Sequence, residues 1–219
     1  VRTAAEGIPE SEIAQDMAYL AKLWEFIQRK QKSIVVPSLI FEELPLPQRV
    51  IRDLANEATS KISVDSREIH AKLQEFVAEF VPSMQTRLIH YPGERPIFDL
   101  YNVEEDIQKA LQTRVALKSG GYLMIDQTEA MTTIDVNTGS YVGGRTLEDT
   151  VFKTNMEATQ VIARQLRLRN LGGIIIIDFI DMQEAQHREE VMSQFERMLE
   201  RDHAKTKITQ VSELGLVEM

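Results

Sequence analysis

The chain has 219 residues, 43% of them hydrophobic, which is enough for a sizeable core and for one or two domains. It contains no cysteine, which excludes a disulfide framework and a thiolate zinc site within these residues and fits a reducing, cytoplasmic setting. The net charge of −9 argues against a protein that only coats nucleic acid, although carboxylates that bind metal ions reverse the local field and leave a nuclease open.

No targeting or membrane segment is evident in the sequence. No apolar run approaches the ~20 residues of a membrane-spanning helix, and no secretory pattern opens the chain. The chain begins with Val1 and ends with Met219, and we expect it to be a piece of a longer protein.

The first segment is dominated by an amphipathic helix predicted at 9–31. One face of this helix is apolar, and we expect it to pack in the core. That face comprises Ile13, Met17, Leu20, Trp24 and Ile27. A strand is predicted at 33–36, closed by Pro37, and the proline-rich break at 44–47 indicates a subdomain boundary.

The second segment alternates helices and strands, which predicts an α/β unit. Its predicted elements are a helix at 47–56, a strand at 61–65, a helix at 66–80, a strand at 87–91 and a helix from Asn102 to about 111. Ser66 is the expected N-cap of the second helix, and Asn102–Glu105 resembles a capping box. The buried face of the 66–80 helix is expected to comprise Ile69, Leu73, Phe76, Val77 and Phe80.

The third segment begins with an antiparallel meander. Strands at 114–117 and 122–126 flank the turn Lys118–Gly121, and a third strand follows at 129–137. A polar, glycine-rich loop then leads to the last predicted elements, which are a helix at 147–169, a strand at 174–179, a helix at 184–202 and a strand at 206–212.

Two apolar, β-branched runs of this segment end in aspartate, at Asp135 and Asp178. The predicted strand–helix–strand crossover between them favours parallel neighbouring strands, so both carboxylates should leave the same edge of the sheet. A buried charge at that edge costs several kcal/mol unless it is paired, and a divalent cation is a natural partner. The sequence therefore indicates a metal-dependent site.

Mg²⁺ suits this pair because it prefers hard oxygen ligands, keeps several waters and binds through one or two carboxylates. Such an ion can acidify water for attack on a phosphodiester. Asn137 has the same side-chain parity as Asp135 and could hydrogen-bond a ligand carboxylate or the phosphate. Glycines in the following loop would let a nucleic-acid backbone approach closely, and they are Gly139, Gly143 and Gly144.

Structural interpretations of these residues stay open at this point. Aspartate at a strand end is often only a turn former or a helix cap, which is our interpretation of Asp181. The cluster Arg164, Arg167 and Arg169 suits either a helix C-terminus or a nucleic-acid contact. The four histidines show no metal-ligand spacing and are interpreted as structural, and they are His70, His90, His187 and His203.

Longer motifs in the chain resemble the bacterial ribonuclease E/G family. They are Asp126–Ala130 leading into Thr133–Asn137, then Gly143–Gly144, Thr154–Ala158, Ile162–Arg169, Leu171–Gly173, Ile177–Met182 and Gly215–Met219. The resemblance is strongest over 122–219 and continues upstream. It implies a Mg²⁺-dependent endoribonuclease, with Mn²⁺ as a possible substitute, that cuts single-stranded, A/U-rich RNA and leaves 5′-phosphate and 3′-hydroxyl ends.

Site residues follow from the resemblance by position. Asp135 and Asp178 match the two metal-binding aspartates, and Asn137 matches the asparagine that orients one of them. The resemblance implies a role in rRNA maturation and mRNA decay and stimulation by a 5′-monophosphate on the RNA. Arg2 and Thr3 match the Arg-Thr pair that senses this phosphate in the family. Lys205 stands where a relative has arginine, and it keeps the charge without the bidentate geometry.

The resemblance also implies an α/β (α+β) fold with a 5′-sensor region at 1–47, an RNase H-like subdomain at 48–110 and a DNase I-like catalytic subdomain at 111–219. The RNase H-like label concerns the fold, because that segment has no acidic cluster at strand ends. The family's OB-type RNA-binding domain is expected before Val1. Its zinc-link, which pairs protomers into a homodimer, is expected after Met219.

Two other classes of function compete with this hypothesis. A non-catalytic RNA-binding or scaffold protein could retain the fold, and loss of either aspartate would favour it. A different metal-dependent phosphoesterase could act on DNA or small phosphates. Competition between RNA and DNA oligonucleotides would separate this phosphoesterase from an endoribonuclease.

Overall fold

The computed structural model describes residues 5, 7–139, 146–200, 202, 204–209, 212 and 215–219. The protein is a mixed α/β structure, as predicted, and it divides into two compact units at 1–100 and 101–219. The three finer subdomains, with their 5′-sensor, RNase H-like and DNase I-like labels, stay predictions. Within the described ranges, no helix is long and apolar enough to cross a membrane.

The first unit contains a small parallel sheet with helices around it. Its elements are α1 (Glu10–Ser33), α2 (Leu46–Leu54), β1 (Ile62–Val64), α3 (Arg67–Phe80), a 3₁₀ turn (Pro82–Met84), β2 (Leu88–His90) and α4 (Ile97–Leu100). Strands β1 and β2 pair in parallel, with α3 as the crossover between them. The Ser66 hydroxyl accepts a hydrogen bond from the Ile69 backbone at 3.2 Å, so the predicted N-cap is confirmed.

The apolar stripe predicted to pack in the core on α1 is not buried. Met17, Leu20 and Trp24 are 64%, 59% and 60% exposed, and α1 contributes no buried residue. The helix instead packs through Tyr19 and Phe26, whose rings contact Phe80 of α3. Apolar periodicity identifies an amphipathic helix but does not say which face meets a partner.

Two other local predictions in this unit are wrong. The predicted strand at 33–36 does not form, because α1 extends to Ser33 and the following segment is highly exposed and has no strand partner among the described residues. On α3, Leu73, Phe76 and Val77 are buried as predicted, whereas Ile69 is exposed and Phe80 is half-buried.

The second unit is a five-stranded sheet covered on one face by helices. Its elements are α5 (Val103–Ala110), β3 (Arg114–Ala116), β4 (Tyr122–Gln127), β5 (Met131–Asn137), α6 (Leu147–Leu168), β6 (Ile174–Asp178), α7 (Ala185–Leu199) and β7 (Leu216–Glu218). The strand order is β3-β4-β5-β6-β7. Only β5 and β6 are parallel neighbours, and α6 connects them; the other pairs are antiparallel, so the predicted meander is confirmed.

Side chains alternate across this sheet with the period of two that strands require. On β5, Thr132, Ile134 and Val136 point into the core shared with α6 and α7. The opposite side carries no buried residue of the five strands as the structure describes them. We call it the open face, and its members are Arg114, Ala116, Tyr122, Met124, Asp126, Met131, Thr133, Asp135, Asn137, Ile174, Ile176, Asp178, Leu216 and Glu218.

The last strand and one helix cap of this unit differ from the predictions. Residues 206–209 of the predicted strand at 206–212 are irregular, with 210 and 211 outside the described residues, and the strand that completes the sheet is β7. Isolated backbone hydrogen bonds, such as Thr209 N–H to Glu218 at 2.9 Å, join the two segments. Asn102 makes no side-chain capping bond and has a left-handed backbone (φ 56°), so the capping box is wrong.

Candidate metal centre

Asp135 and Asp178 are direct neighbours on the parallel strands β5 and β6. Their Cα atoms are register partners, and adjacent strands lie about 4.8 Å apart. Both side chains are on the open face, because β5 buries the alternate residues and β6 follows the same pattern. The structure thus brings the two predicted carboxylates together at the carboxyl edge of the β5–α6–β6 crossover.

The expectation of a buried charge at this edge is wrong, since both aspartates are exposed. Local shielding still acts on one of them: partial burial raises the pKa of the Asp178 carboxyl, and the negative charges of Asp135 and Asp181 raise it further. A carboxyl with a raised pKa has too little positive charge nearby to favour its ionised form. A cation between Asp135 and Asp178 would supply that charge.

Asn137 is joined to this pair by a hydrogen bond. Its side-chain amide donates to Asp135 Oδ2 over 2.7 Å, two residues along the same face of β5. The bond fixes the orientation of the carboxylate. It engages Oδ2 of the Asp135 carboxylate and not Oδ1.

The donor set suits a hard, highly hydrated cation. In the described part of the chain, no three Asp, Glu, His or Cys side chains are close enough to form a metal cage. Two adjacent carboxylates without a third protein ligand match Mg²⁺, which retains several waters, better than zinc, whose structural sites use four protein ligands. These residues therefore fit the metal that the resemblance implies.

Helix α6 fixes the segment that follows Asp178. The fully buried Asn155 side chain donates to the Ile180 carbonyl over 2.8 Å and accepts from the Ile180 N–H over 3.1 Å. This pair of bonds satisfies both backbone groups of a residue that lies two positions after the aspartate. Asn155 is thus a positioning residue, which the sequence marked only as part of the family-like motif Thr154–Ala158.

A second residue of α6 fixes the turn beside Asn137. The Glu157 carboxylate accepts from the backbone N–H groups of Lys118 and Ser119 over 2.5 and 3.0 Å. This turn packs tightly against the end of β5, where a Cβ added at Gly121 would lie 2.6 Å from the Asn137 carbonyl oxygen. Glu157 therefore fixes the turn that packs against the backbone of Asn137. Sequence reasoning gave it no role.

A third residue of α6, Glu148, fixes the start of α7. Glu148 accepts from the backbone N–H of Gln183 and Glu184 over 3.1 and 3.2 Å and contacts His187 Nδ1 over 3.1 Å. Burial alone would raise the pKa of Glu148, but these hydrogen bonds lower it overall. The N-cap position of α7 is Glu184, so the helix-cap alternative for Asp181 is wrong, while its role as a turn former stays a prediction. The negative charge of Asp181 also acts on Asp178.

Two arginines of the cluster at the end of α6 stabilise the structure of the second unit. Arg164 forms an ion pair with Asp106 over 2.7 Å, and Arg169 donates to the Gln112 carbonyl over 2.6 Å. Burial lowers the pKa of Arg169. These contacts favour the structural interpretation of two members of the cluster.

The residues predicted to bind the RNA 5′-phosphate are Arg2, Thr3 and Lys205. Arg2 and Thr3 lie outside the described residues, as do Gly143 and Gly144. Lys205 is exposed in an irregular segment. The 5′-phosphate sensor therefore stays a prediction.

The whole chain matches proteins of one family. The sequence profile described as "Ribonuclease E/G family" matches residues 1–219. Ribonuclease G of Salmonella typhimurium (strain SL1344) is 56% identical over 219 residues, covering 100% of this chain and 45% of that protein. Ribonuclease G of Escherichia coli (strain K12) is 55% identical with the same coverage.

A more distant relative extends the pattern. Ribonuclease E of Nostoc sp. (strain PCC 7120) is 42% identical over 224 residues, covering 100% of this chain and 32% of that protein. The chain thus spans less than half the length of these curated relatives. The match of the family profile over the full length of the chain shows that the chain belongs to the ribonuclease E/G family.

Proposed function

We propose that this chain carries the catalytic centre of a metal-dependent endoribonuclease of the ribonuclease G type. The observation that carries the proposal is the register pairing of Asp135 with Asp178, with Asn137 hydrogen-bonded to Asp135. Membership in the ribonuclease E/G family supports RNA as the substrate.

The residues of the centre take distinct roles in this proposal. Asp135 and Asp178 hold Mg²⁺, with Mn²⁺ as a possible substitute, and Asn137 keeps the Asp135 carboxylate in its ligating orientation. When bound, the metal supplies acidified water as the nucleophile and positive charge beside the phosphate. Asn155 and Glu157 position the centre through the backbone on either side of it.

The finer properties of the proposed enzyme follow from its family resemblance. It cuts single-stranded, A/U-rich RNA, leaves 5′-phosphate and 3′-hydroxyl ends, and acts in rRNA maturation and mRNA decay in the cytoplasm. Arg2 and Thr3, with Lys205, bind a 5′-monophosphate that stimulates cleavage. The functional form is a homodimer, and zinc belongs to the region beyond Met219.

The proposal is tested by Asp178→Asn in the full-length protein, with a 5′-monophosphorylated oligoribonucleotide and Mg²⁺. Asp126→Asn is the matched control, because Asp126 is an exposed carboxylate on the same face, paired with Thr133 rather than with the centre. We expect Asp178→Asn to lower kcat/KM by more than about 100-fold, since a direct ligand should matter more than an outer-shell one. Near-normal cleavage by Asp178→Asn would overturn the proposal.

The sensor is tested separately. Arg2→Ala should slow cleavage of 5′-monophosphorylated RNA selectively, because arginine can donate two parallel hydrogen bonds to a phosphate. Equal slowing of a 5′-hydroxyl substrate would contradict this role and leave the catalytic assignment intact.

A further inference from the structure

Two further residues of the open face lie beside the metal centre. Tyr122 of β4 is the register partner of Asn137, and Arg114 of β3 pairs with Met124, which in turn pairs with Asp135. Directly paired residues of neighbouring strands point to the same side of a sheet. Arg114 and Tyr122 therefore share the face that carries the two aspartates.

Arg114 and Tyr122 contact each other. The guanidinium carbon lies 4.0 Å from the centroid of the Tyr122 ring, within the range of a cation–π contact. Tyr122 is half-buried and Arg114 is exposed, so the ring supports the guanidinium from the protein side and leaves it accessible to solvent. The backbone of Arg114 is two strand spacings, about 10 Å, from that of Asp135.

The charge on this face makes Arg114 distinctive. Within the five strands as the structure describes them, Arg114 is the one basic residue. Among the described residues, Arg114 has no ion-pair partner, although the same face carries carboxylates. Those carboxylates are Asp126, Asp135, Asp178 and Glu218. An anionic strand that reached the metal centre across β4 would meet favourable charge on the sheet at Arg114.

We propose that Arg114 and Tyr122 form a binding subsite for the RNA nucleotide next to the scissile phosphate. The Arg114 guanidinium, held on the Tyr122 ring, stacks on the base and donates hydrogen bonds to the adjoining phosphate. Arginine planes and aromatic rings are the common stacking partners of unpaired bases. This inference rests on the proposed function, because it takes Asp135 and Asp178 as the place where the phosphodiester is cut.

The test uses the full-length protein and a 5′-monophosphorylated oligoribonucleotide with one cleavage site. An abasic residue is placed in turn at each nucleotide flanking that site, and kcat/KM is measured for the native chain, Arg114→Ala, Tyr122→Ala and Tyr122→Phe. Arg197→Ala is the control, because Arg197 is an exposed arginine on α7, which packs on the other side of the sheet. Circular dichroism melting reports whether each variant is folded.

We expect Arg114→Ala to lower kcat/KM about 5- to 100-fold, mainly through KM, as loss of one stacked base predicts. One abasic position should cost the native chain a similar factor and cost Arg114→Ala nothing further. Tyr122→Phe should behave as the native chain, whereas Tyr122→Ala, which removes the support, should resemble Arg114→Ala.

Two results would overturn the subsite. One is an Arg114→Ala variant whose kcat/KM equals that of the native chain. The other is a loss of kcat/KM on abasic substitution that is as large in Arg114→Ala as in the native chain at every position, because independent losses indicate that base and side chain do not interact. Either result, obtained while Asp178→Asn is inactive, would remove the subsite and retain the proposed nuclease. Cleavage by Asp178→Asn would instead remove the proposed function itself.

Discussion

Asp135 and Asp178 are register partners on the parallel strands β5 and β6, and the pKa of the Asp178 carboxyl is raised by partial burial and by the charges of Asp135 and Asp181. The folded chain thus holds like charges together on an exposed surface. A native arrangement that works against its own stability is typical of functional sites. The first prediction concerns this conflict.

Without divalent metal, we expect Asp178→Asn to raise the free energy of unfolding at pH 7, by at most about 1 kcal/mol because both carboxylates face solvent. The sign follows from the raised pKa. Ionised Asp178 destabilises the folded state at high pH, and this penalty fades as the pH falls through the raised pKa and is absent below the unfolded value of about 3.9. The measurement is thermal unfolding in EDTA from pH 7 to pH 3.

Asp126→Asn again serves as the control, because it removes an equal charge from the same face. A gain in stability for Asp178→Asn that is the same at pH 3 as at pH 7 would contradict the interpretation. Added Mg²⁺ should raise the Tm of the native chain and of Asp126→Asn but not that of Asp178→Asn, since ligand binding stabilises only the state that binds.

The second prediction concerns Asn137, which orients Asp135 through a 2.7 Å hydrogen bond. Asn137→Ala should weaken activity about 10- to 100-fold, as is usual when a partner of a metal ligand is removed. We expect the loss to appear as a higher Mg²⁺ concentration for half-maximal cleavage and to be partly rescued by excess Mg²⁺. An unchanged Mg²⁺ requirement would show that Asn137 does not act through the metal ligand.

The third prediction concerns the buried clamp between Asn155 and Ile180. Asn155→Ala leaves an N–H and a carbonyl without their partners, which should cost about 1–3 kcal/mol of stability and disturb the segment after Asp178. Activity at a temperature where the variant is folded should also fall. Ile162→Val, a buried change on the same helix that costs about 1 kcal/mol, should leave activity unchanged; equal activity of the two variants would contradict the positioning role.

The fourth prediction concerns the turn that supports Asn137. Gly121→Ala would place a Cβ 2.6 Å from the Asn137 carbonyl oxygen, so one of the two backbones must shift. We expect cleavage to fall about 10- to 100-fold, because small displacements of a catalytic group have effects of that size. Gly172→Ala is the matched control, since its Cβ meets nothing within 4 Å. Native activity of Gly121→Ala would show that the turn does not position Asn137.

The central relationship was predictable because its causes are local. β-Branched runs identify the strands, and the helical crossover between β5 and β6 favours their parallel pairing, which puts Asp135 and Asp178 at one edge. The supporting residues were not predictable in the same way. The bonds of Asn155 to Ile180 and of Glu157 to Lys118 join residues 25 and 39 positions apart, and no local pattern distinguishes them from ordinary polar residues of a helix.

The wrong predictions share a physical origin as well. Whether an apolar face is buried depends on what packs against it, and the face of α1 with Met17 and Trp24 has no such cover among the described residues. A short strand forms only where a partner offers hydrogen bonds, which 216–218 finds beside β6 and 33–36 does not. Tertiary context decides both cases.

The most direct test of the account is the anomalous difference density of Mn²⁺ in crystals of the full-length protein, soaked at a concentration that supports cleavage. We expect one peak between Asp135 and Asp178, within coordination distance of both carboxylates and absent from Asp178→Asn crystals. A peak that forms elsewhere, or that persists between these strands in Asp178→Asn, would contradict the claim that these two aspartates hold the catalytic metal.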